Sequence, residues 1–341
     1  QYDKASIDDG GFQVKAAVAG GSPHPFQLDT GSSGMAIGVN YVGSDYKNYP
    51  CFGPGQFKYN PSENLLQGDW YLLPVSLISA ASGNPTADSV CMVLVVTSVT
   101  DGDGNVTNDY KGGMMGVSAK GENIAYNVLL NASLPGQNGA AATQLASAYA
   151  LTKTACTIGQ THVAGDGYDV VNLQPVTPPA LPALVGVPTT NLSTPIGPAW
   201  SMPSVVATFS SGGVAQAVTA AFEMDTGIDS MLVVVPSGTI PASFVGTPAT
   251  SGQATFVDGV LVTVTVPGSL AVTALKQWIL NYSFTTGSGA ADPAPSCVIL
   301  MPPPTNTVGD MVRVNVGIHP LIKHNYLYDA QNGVIGMQLI S

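Results

Sequence analysis

The sequence predicts a mainly β protein built as two related lobes. Three observations lead there. Glycine (39) and proline (26) are abundant and spread along the 341 residues, which suits many short strands joined by turns. Val, Thr, Ile and Tyr are frequent, and long helical periodicity is hard to find. The chain also repeats one signal. An apolar run ends in Asp29-Thr30-Gly31, and another ends in Asp225-Thr226-Gly227. Each is followed at a similar distance by an apolar segment closing on glycine, at Gly116 and at Gly317. The same signals in the same order indicate a duplication. At 45% hydrophobic and 9% charged the chain is not a disordered one, and its length holds two cores. The predicted lobes are residues 1–172, carrying Asp29, and residues 173–341, carrying Asp225.

Taken in order, residues 12–18 and 26–39 read as strands flanking the turn Ala19-Gly20-Gly21-Ser22. Residues 57–60 and 70–79 read as a hairpin with Asn60-Pro61-Ser62-Glu63-Asn64 near its tip. Residues 90–99, with the continuous apolar run Val90 to Val96, read as a buried strand. Asp101-Gly102-Asp103-Gly104-Asn105 follows; it lacks the glycine and the bidentate glutamate of a calcium loop, and a hairpin turn accounts for it. Residues 124–131 and 140–150 are the best short-helix candidates. Eight prolines crowd residues 174–203, so that stretch is expected to be the junction or a long surface connection. The strand pattern resumes at 205–209, 217–224, 231–235, 254–266 and 295–301, and a closing strand is expected near 334–340.

Net charge is −11 and Arg313 is the only arginine, which argues against nucleic acid and anionic membrane surfaces as partners. No apolar run approaches the ~20 residues of a membrane span. His24, His162, His319 and His324 are scattered and the cysteines lack ligand spacing, so neither a metal nor a cofactor is expected. Cys51, Cys91, Cys156 and Cys297 are even in number and allow three pairings; Cys51–Cys91 with Cys156–Cys297 is the preferred one. The chain opens at Gln1 without a leader, as a processed product would. Together these predict a disulfide-bonded, secreted or periplasmic monomer.

The chemistry follows from the repeated turn. Two carboxylates brought face to face cannot both ionise easily and share a proton, so one serves as base and the other as acid. With Met114-Met115-Gly116 and Asn315-Val316-Gly317 as supporting segments, and Val316 to Leu321, Tyr326 to Asp329 and Gly333 to Gly336 as a closing run, the chain resembles the pepsin-like aspartic proteases. The resemblance implies two β lobes with a cleft between them and an endopeptidase acting on extended polypeptides through Asp29 and Asp225. It implies that Thr30 and Thr226 lock the two loops, that Gly31 and Gly227 bring N–H groups to the carboxylates, and that Ser32 hydrogen-bonds Asp29. Tyr59 is the candidate flap residue over the substrate; a half-buried strand tyrosine is the plain alternative.

Two departures from that pattern carry expectations. Ile228 stands where Asp225 would have a hydroxyl beside it, which predicts activity shifted toward weaker acid. Asn315 interrupts an apolar pair. The rival function is a non-catalytic binding or inhibitor protein on the same fold. A two-carboxylate glycosidase is a third reading, with no place for the doubled Asp-Thr-Gly.

Overall fold

Alternating burial sets the opening strands. β1 (Gln13–Val18) turns Ala16 and Val18 inward, and β2 (His24–Asp29) turns Phe26 and Leu28 inward before ending on Asp29. These belong to the protein's structure, a computed structural model that describes residues 11–59, 62–79, 81–136, 141–185, 192–246, 253–267, 278–288, 294–303 and 312–340. β3 (Ser33–Gly38), β4 (Cys51–Lys58), β5 (Leu65–Ile78), β6 (Pro85–Thr100), β7 (Val106–Thr107) and β8 (Gly113–Val117) follow. β8 inserts between β2, to which it is parallel, and β3, to which it is antiparallel. The order β6–β3–β8–β2–β1–β5 closes on itself because β5 also pairs with β6. Met35, Ile37, Leu73 and Met115 are buried on one face of the sheet, and Leu72, Met92 and Leu94 on the other. Each such side chain stabilises the fold by ~1.5–3 kcal/mol.

The same insertion recurs later in the chain. The strand Arg313–Asn315 lies between Val214–Glu223, parallel to it, and Met231–Val234, antiparallel to it. It belongs, among the described residues, to an eight-stranded sheet. The repeat read in the sequence is therefore a repeat of topology. The mainly β expectation holds, and the apolar runs at 12–18, 90–99, 205–209, 217–224 and 231–235 all lie in or overlap strands.

The chain divides into two compact units, and their limits differ from those expected. One comprises Phe12–Ala148 and Val176–Ala199; the described part of the other lies mainly within Tyr149–Pro175 and Trp200–Ser341. Residues 149–172 thus go with Asp225 and not with Asp29. The reason is strand pairing: Ala148–Leu151 joins His324–Asp329, and Asp169–Asn172 joins Val334–Leu339, in one five-stranded sheet. The proline-rich stretch returns to the Asp29 unit, where Val185 N–H donates to the Cys51 carbonyl and Leu181 and Leu192 pack on the Phe52–Trp70 cluster.

Neither short helix forms as expected. Within 124–131 only the 3-10 turn Ile124–Tyr126 appears. Asparagine side chains take the backbone bonds a helix would use: Asn123 caps Ala125 N–H, Asn127 accepts from Leu129 and Leu130, and Asn131 donates to the carbonyls of Ile124 and Asn127. Of residues 140–150, 140 lies outside the described residues; the rest contribute the strands Thr143–Gln144 and part of Ala148–Leu151. The Asp101 loop is a hairpin turn, its carboxylate accepting from the N–H groups of Asp103 and Asn105.

The disulfide expectation is overturned: all four cysteines are free. Cys51 pairs across from Tyr71 on one side of β5, and Cys91 from Leu73 on its other side. Two strand spacings of ~4.8 Å separate them, beyond the ~4.4–6.8 Å that a disulfide spans between Cα atoms. Cys156 and Cys297 lie on or beside strands of different sheets. Burial pushes the Cys91 and Cys297 thiols up, and that of Cys156 to about 12, so none of the three is a ready thiolate.

Two predictions follow from this packing. Denatured without reductant, the protein should titrate four thiols, and reductant should leave its melting temperature unchanged; fewer thiols would restore a disulfide. The second concerns Asp166, which accepts from Val163 N–H, Tyr168 N–H and the His162 ring, each at 3.0 Å. Burial raises its carboxyl, but these bonds outweigh burial and hold it below the ordinary carboxylate range. A depressed folded value means stabilisation present above the unfolded value of ~3.9 and lost as pH falls through the folded one. Asp166→Asn should therefore cost about 1–2 kcal/mol at pH 7 in denaturant melts, and the difference should shrink below pH ~4. A pH-independent difference would refute it.

Candidate functional site

Asp29 sits at the end of β2, opposite Gly116 of β8 in the parallel register, and is 5% exposed. A buried carboxylate needs donors on both oxygens. The Asp-Thr-Gly turn supplies one: Gly31 N–H donates to Oδ1 at 2.7 Å. Ser32 supplies the other, its hydroxyl donating to Oδ2 at 2.5 Å. Thr30 is buried. Gly116 has to be glycine, since a Cβ there would lie 2.7 Å from the Gly34 carbonyl and from the Ser32 backbone. The turn is braced further by Ser118 N–H on the Ser32 carbonyl and by the Lys120 ammonium on the Gly31 carbonyl.

Asp225 is built the same way in the other unit. The parallel register pairs Glu223 with Asn315, and two residues on Asp225 N–H reaches the Gly317 carbonyl at 3.3 Å. Gly227 N–H donates to Asp225 Oδ1 at 2.8 Å, and Thr226 is fully buried. Ile228 packs against the Leu232–Val234–Ile299 cluster and brings no hydroxyl, as expected. The inference that Asp225 therefore lacks a second donor is wrong. Asn315 Nδ2 donates to its Oδ2 at 2.6 Å. Gly317 N–H donates to Asn315 Oδ1 at 3.0 Å, which fixes the amide the right way round. A polar side chain in a buried apolar strand was the available signal, since such a group must find a partner.

The turn after Asp225 is held from three sides. Ile318 N–H donates to the Ile228 carbonyl, Ser296 N–H to the Asp229 carbonyl, and the buried His319 Nε2–H to that same oxygen at 2.5 Å. One step back along the two central strands, Arg313 Nε lies 3.3 Å from the buried Glu223 carboxylate. Asp229 is half-buried.

Tyr59 follows β4, its N–H bonded to the Asn64 carbonyl; Asn60 and Pro61 of the expected flap tip lie outside the described residues. Burial above all, then the negative charge of Asp29, push the Tyr59 hydroxyl well above the ordinary tyrosine range, with Ser32 acting the other way. It is thus a neutral phenol near Asp29. Beside it Phe57, Trp70 and Tyr126 stack edge to face, Phe57–Trp70 at 5.1 Å and Trp70–Tyr126 at 5.2 Å. They wall a cavity of about 330 Å³ that Gly31, Ser32, Ser33, Lys120 and Glu122 complete. Burial pushes the Glu122 carboxyl up against the opposing pull of Lys120. Phe57, Trp70, Lys120, Glu122 and Tyr126 carried no motif that would mark them in the sequence.

No protein-family model and no curated protein sequence matches the chain. Among solved structures it is similar to an aspartic proteinase from Irpex lacteus, at 13% sequence identity over 97% of this chain and 94% of that one, with a TM-score of 0.51. At that identity the likeness establishes the fold: the chain has the mainly β, pepsin-like fold.

Gly317 yields a direct test of the second cradle. Its φ is +66°, and a Cβ there would lie 2.5 Å from the Ser230 carbonyl. Gly317→Ala should cost more than about 2 kcal/mol in thermal or denaturant unfolding, from strain and a backbone clash together. A loss below ~0.5 kcal/mol would mean that the backbone around Gly317 has room for a side chain.

Proposed function

We propose that this chain is an aspartic endopeptidase in which Asp29 and Asp225 act as a pair on one water. The observation that carries the reading is the doubled cradle. Each carboxylate is buried at the end of a parallel-paired strand. Each accepts from the N–H two residues on, at 2.7 Å and 2.8 Å, and each has a second donor on its other oxygen. Such geometry suits proton exchange because the oxygens are fixed and shielded from bulk water. The likeness in fold to an aspartic proteinase supports the same reading.

The chemistry needs a base for water and an acid for the carbonyl. A pair sharing one proton supplies both: water loses a proton to the ionised carboxylate, its oxygen bonds the carbonyl carbon, and the protonated carboxyl donates to the carbonyl oxygen. In the next step the leaving nitrogen takes a proton as the C–N bond breaks. The substrate would be an extended polypeptide added as a strand, with alternate side chains in pockets. The Phe57–Trp70–Tyr126 cavity beside Asp29 favours an apolar or aromatic side chain near the cut. A monomer secreted or held in the periplasm belongs to the same proposal, and with 9% of its residues charged the chain has few ion pairs to lose at the acid pH this chemistry favours.

The test is digestion of a peptide library across acid pH, with Asp29→Asn and Asp225→Asn beside the wild type. Each variant should keep its melting temperature within a few degrees and lose turnover by roughly 10²–10⁴-fold. Near-native turnover in either sinks the mechanism. Wild type that retains peptides without cutting them would make the chain a binding protein.

A further inference from the structure

The two cradles differ in one respect, and the difference is an exchange. In the Asp29 unit the residue three after the aspartate is Ser32, and the residue two before the supporting glycine is Met114. In the Asp225 unit those positions hold Ile228 and Asn315. Polar and apolar have traded places. Each outer carboxylate oxygen still has one side-chain donor, Ser32 Oγ on Asp29 Oδ2 and Asn315 Nδ2 on Asp225 Oδ2.

The donors are not equivalent. A serine hydroxyl both donates and accepts, so Ser32 can reverse when Asp29 Oδ2 takes up a proton. Asn315 has no such freedom. Its Oδ1 is committed to Gly317 N–H at 3.0 Å, and Asn315 is 3% exposed, so only its NH₂ faces Asp225. A partner that can only donate favours the ionised form of Asp225 over the protonated one, whereas Ser32 can serve either form of Asp29.

From this we infer that Asn315 is a positioning residue that holds Asp225 ionised in the resting pair, so that the shared proton starts on Asp29. It thereby makes Asp225 the member of the pair that takes the proton from water, at Oδ1, while Asp29 holds the proton given to the carbonyl oxygen. The inference rests on the catalytic reading above. The step balances. The water O–H bond breaks toward Asp225 Oδ1 as the water oxygen bonds the carbonyl carbon. The C=O π pair becomes the bond to the proton from Asp29. The pair ends as it began, with one proton, now on Asp225.

The test is the pH–rate profile of Asn315→Asp and Asn315→Ala against wild type on one peptide. Asn315→Ala should lower kcat roughly 10- to 100-fold with KM within about two-fold, because without the amide the resting proton shifts to Asp225 and fewer pairs start with Asp225 ionised. Asn315→Asp keeps the shape. In acid the introduced carboxyl is protonated, donates to Asp225 and supports turnover. As pH rises it ionises against Asp225, so the alkaline limb should move down by about one pH unit or more. The other groups near Asp225, namely Glu223, Arg313, Asp229 and His319, are common to both proteins, so the difference reports on position 315. A variant altered only in packing would lose rate evenly across pH. Should Asn315→Ala fail to fold, the Asn315→Asp profile decides alone. Wild-type kcat in Asn315→Ala, or an unmoved alkaline limb in Asn315→Asp, overturns the inference and leaves the catalytic reading standing. Wild type that cuts no peptide overturns both.

Discussion

A carboxylate buried at the end of a strand is expensive unless both its oxygens are met by donors. Much of each unit answers that requirement. The Asp-Thr-Gly turn folds Gly31 or Gly227 back so that a backbone N–H meets Oδ1. A strand inserted parallel to the aspartate's own strand brings Gly116 or Gly317 alongside, where no side chain fits. Parallel neighbours cannot be joined by a tight turn, so a long excursion must separate them. In the Asp29 unit that excursion is β3 to β7, and in the other it runs through the strands from Met231 to Met301. Topology here follows from solvating one carboxylate twice.

What the sequence displayed well was whatever depends on local pattern. β2 alternates toward Asp29, β6 carries the apolar run Val90 to Val96, and the glycine-terminated segments stand at matching distances. What it hid depends on partners distant in the chain. Residues 149–172 look like the tail of the first lobe until His324–Asp329 and Val334–Leu339 claim them by pairing. Residues 124–131 are a short-helix candidate, but three asparagines offer the backbone a competing set of bonds. An even cysteine count suggested disulfides, yet β5 lies between Cys51 and Cys91.

The surroundings of Asp29 show the same limit at the level of the site. Asp29, Ser32 and Gly31 are neighbours in sequence and were legible as a unit. Phe57, Trp70 and the stretch holding Lys120, Glu122 and Tyr126 are three separate segments, and only the fold brings them to one cavity wall. Aromatic residues on strands are ordinarily core, and nothing in their spacing separates a wall from a core. Lys120 is a further case: its ammonium is spent on the Gly31 carbonyl, so a residue that looks like surface charge acts as a brace for the turn.

Ile228 and Asn315 carry the general point. Read one at a time, each is a defect: a missing hydroxyl in a turn, and a polar residue in an apolar strand. A missing donor beside a buried carboxylate and an unpaired amide in a buried strand are both costly, and each cost exceeds that of an ordinary surface change. Two such costs in one unit are better explained by mutual satisfaction than by coincidence, and the 2.6 Å bond between Asn315 and Asp225 is that satisfaction. The physical requirement attaches to the oxygen and not to a position in the chain. A departure from a pattern therefore calls for a search for a second departure that supplies what the first removed, before any consequence for acidity is drawn from it.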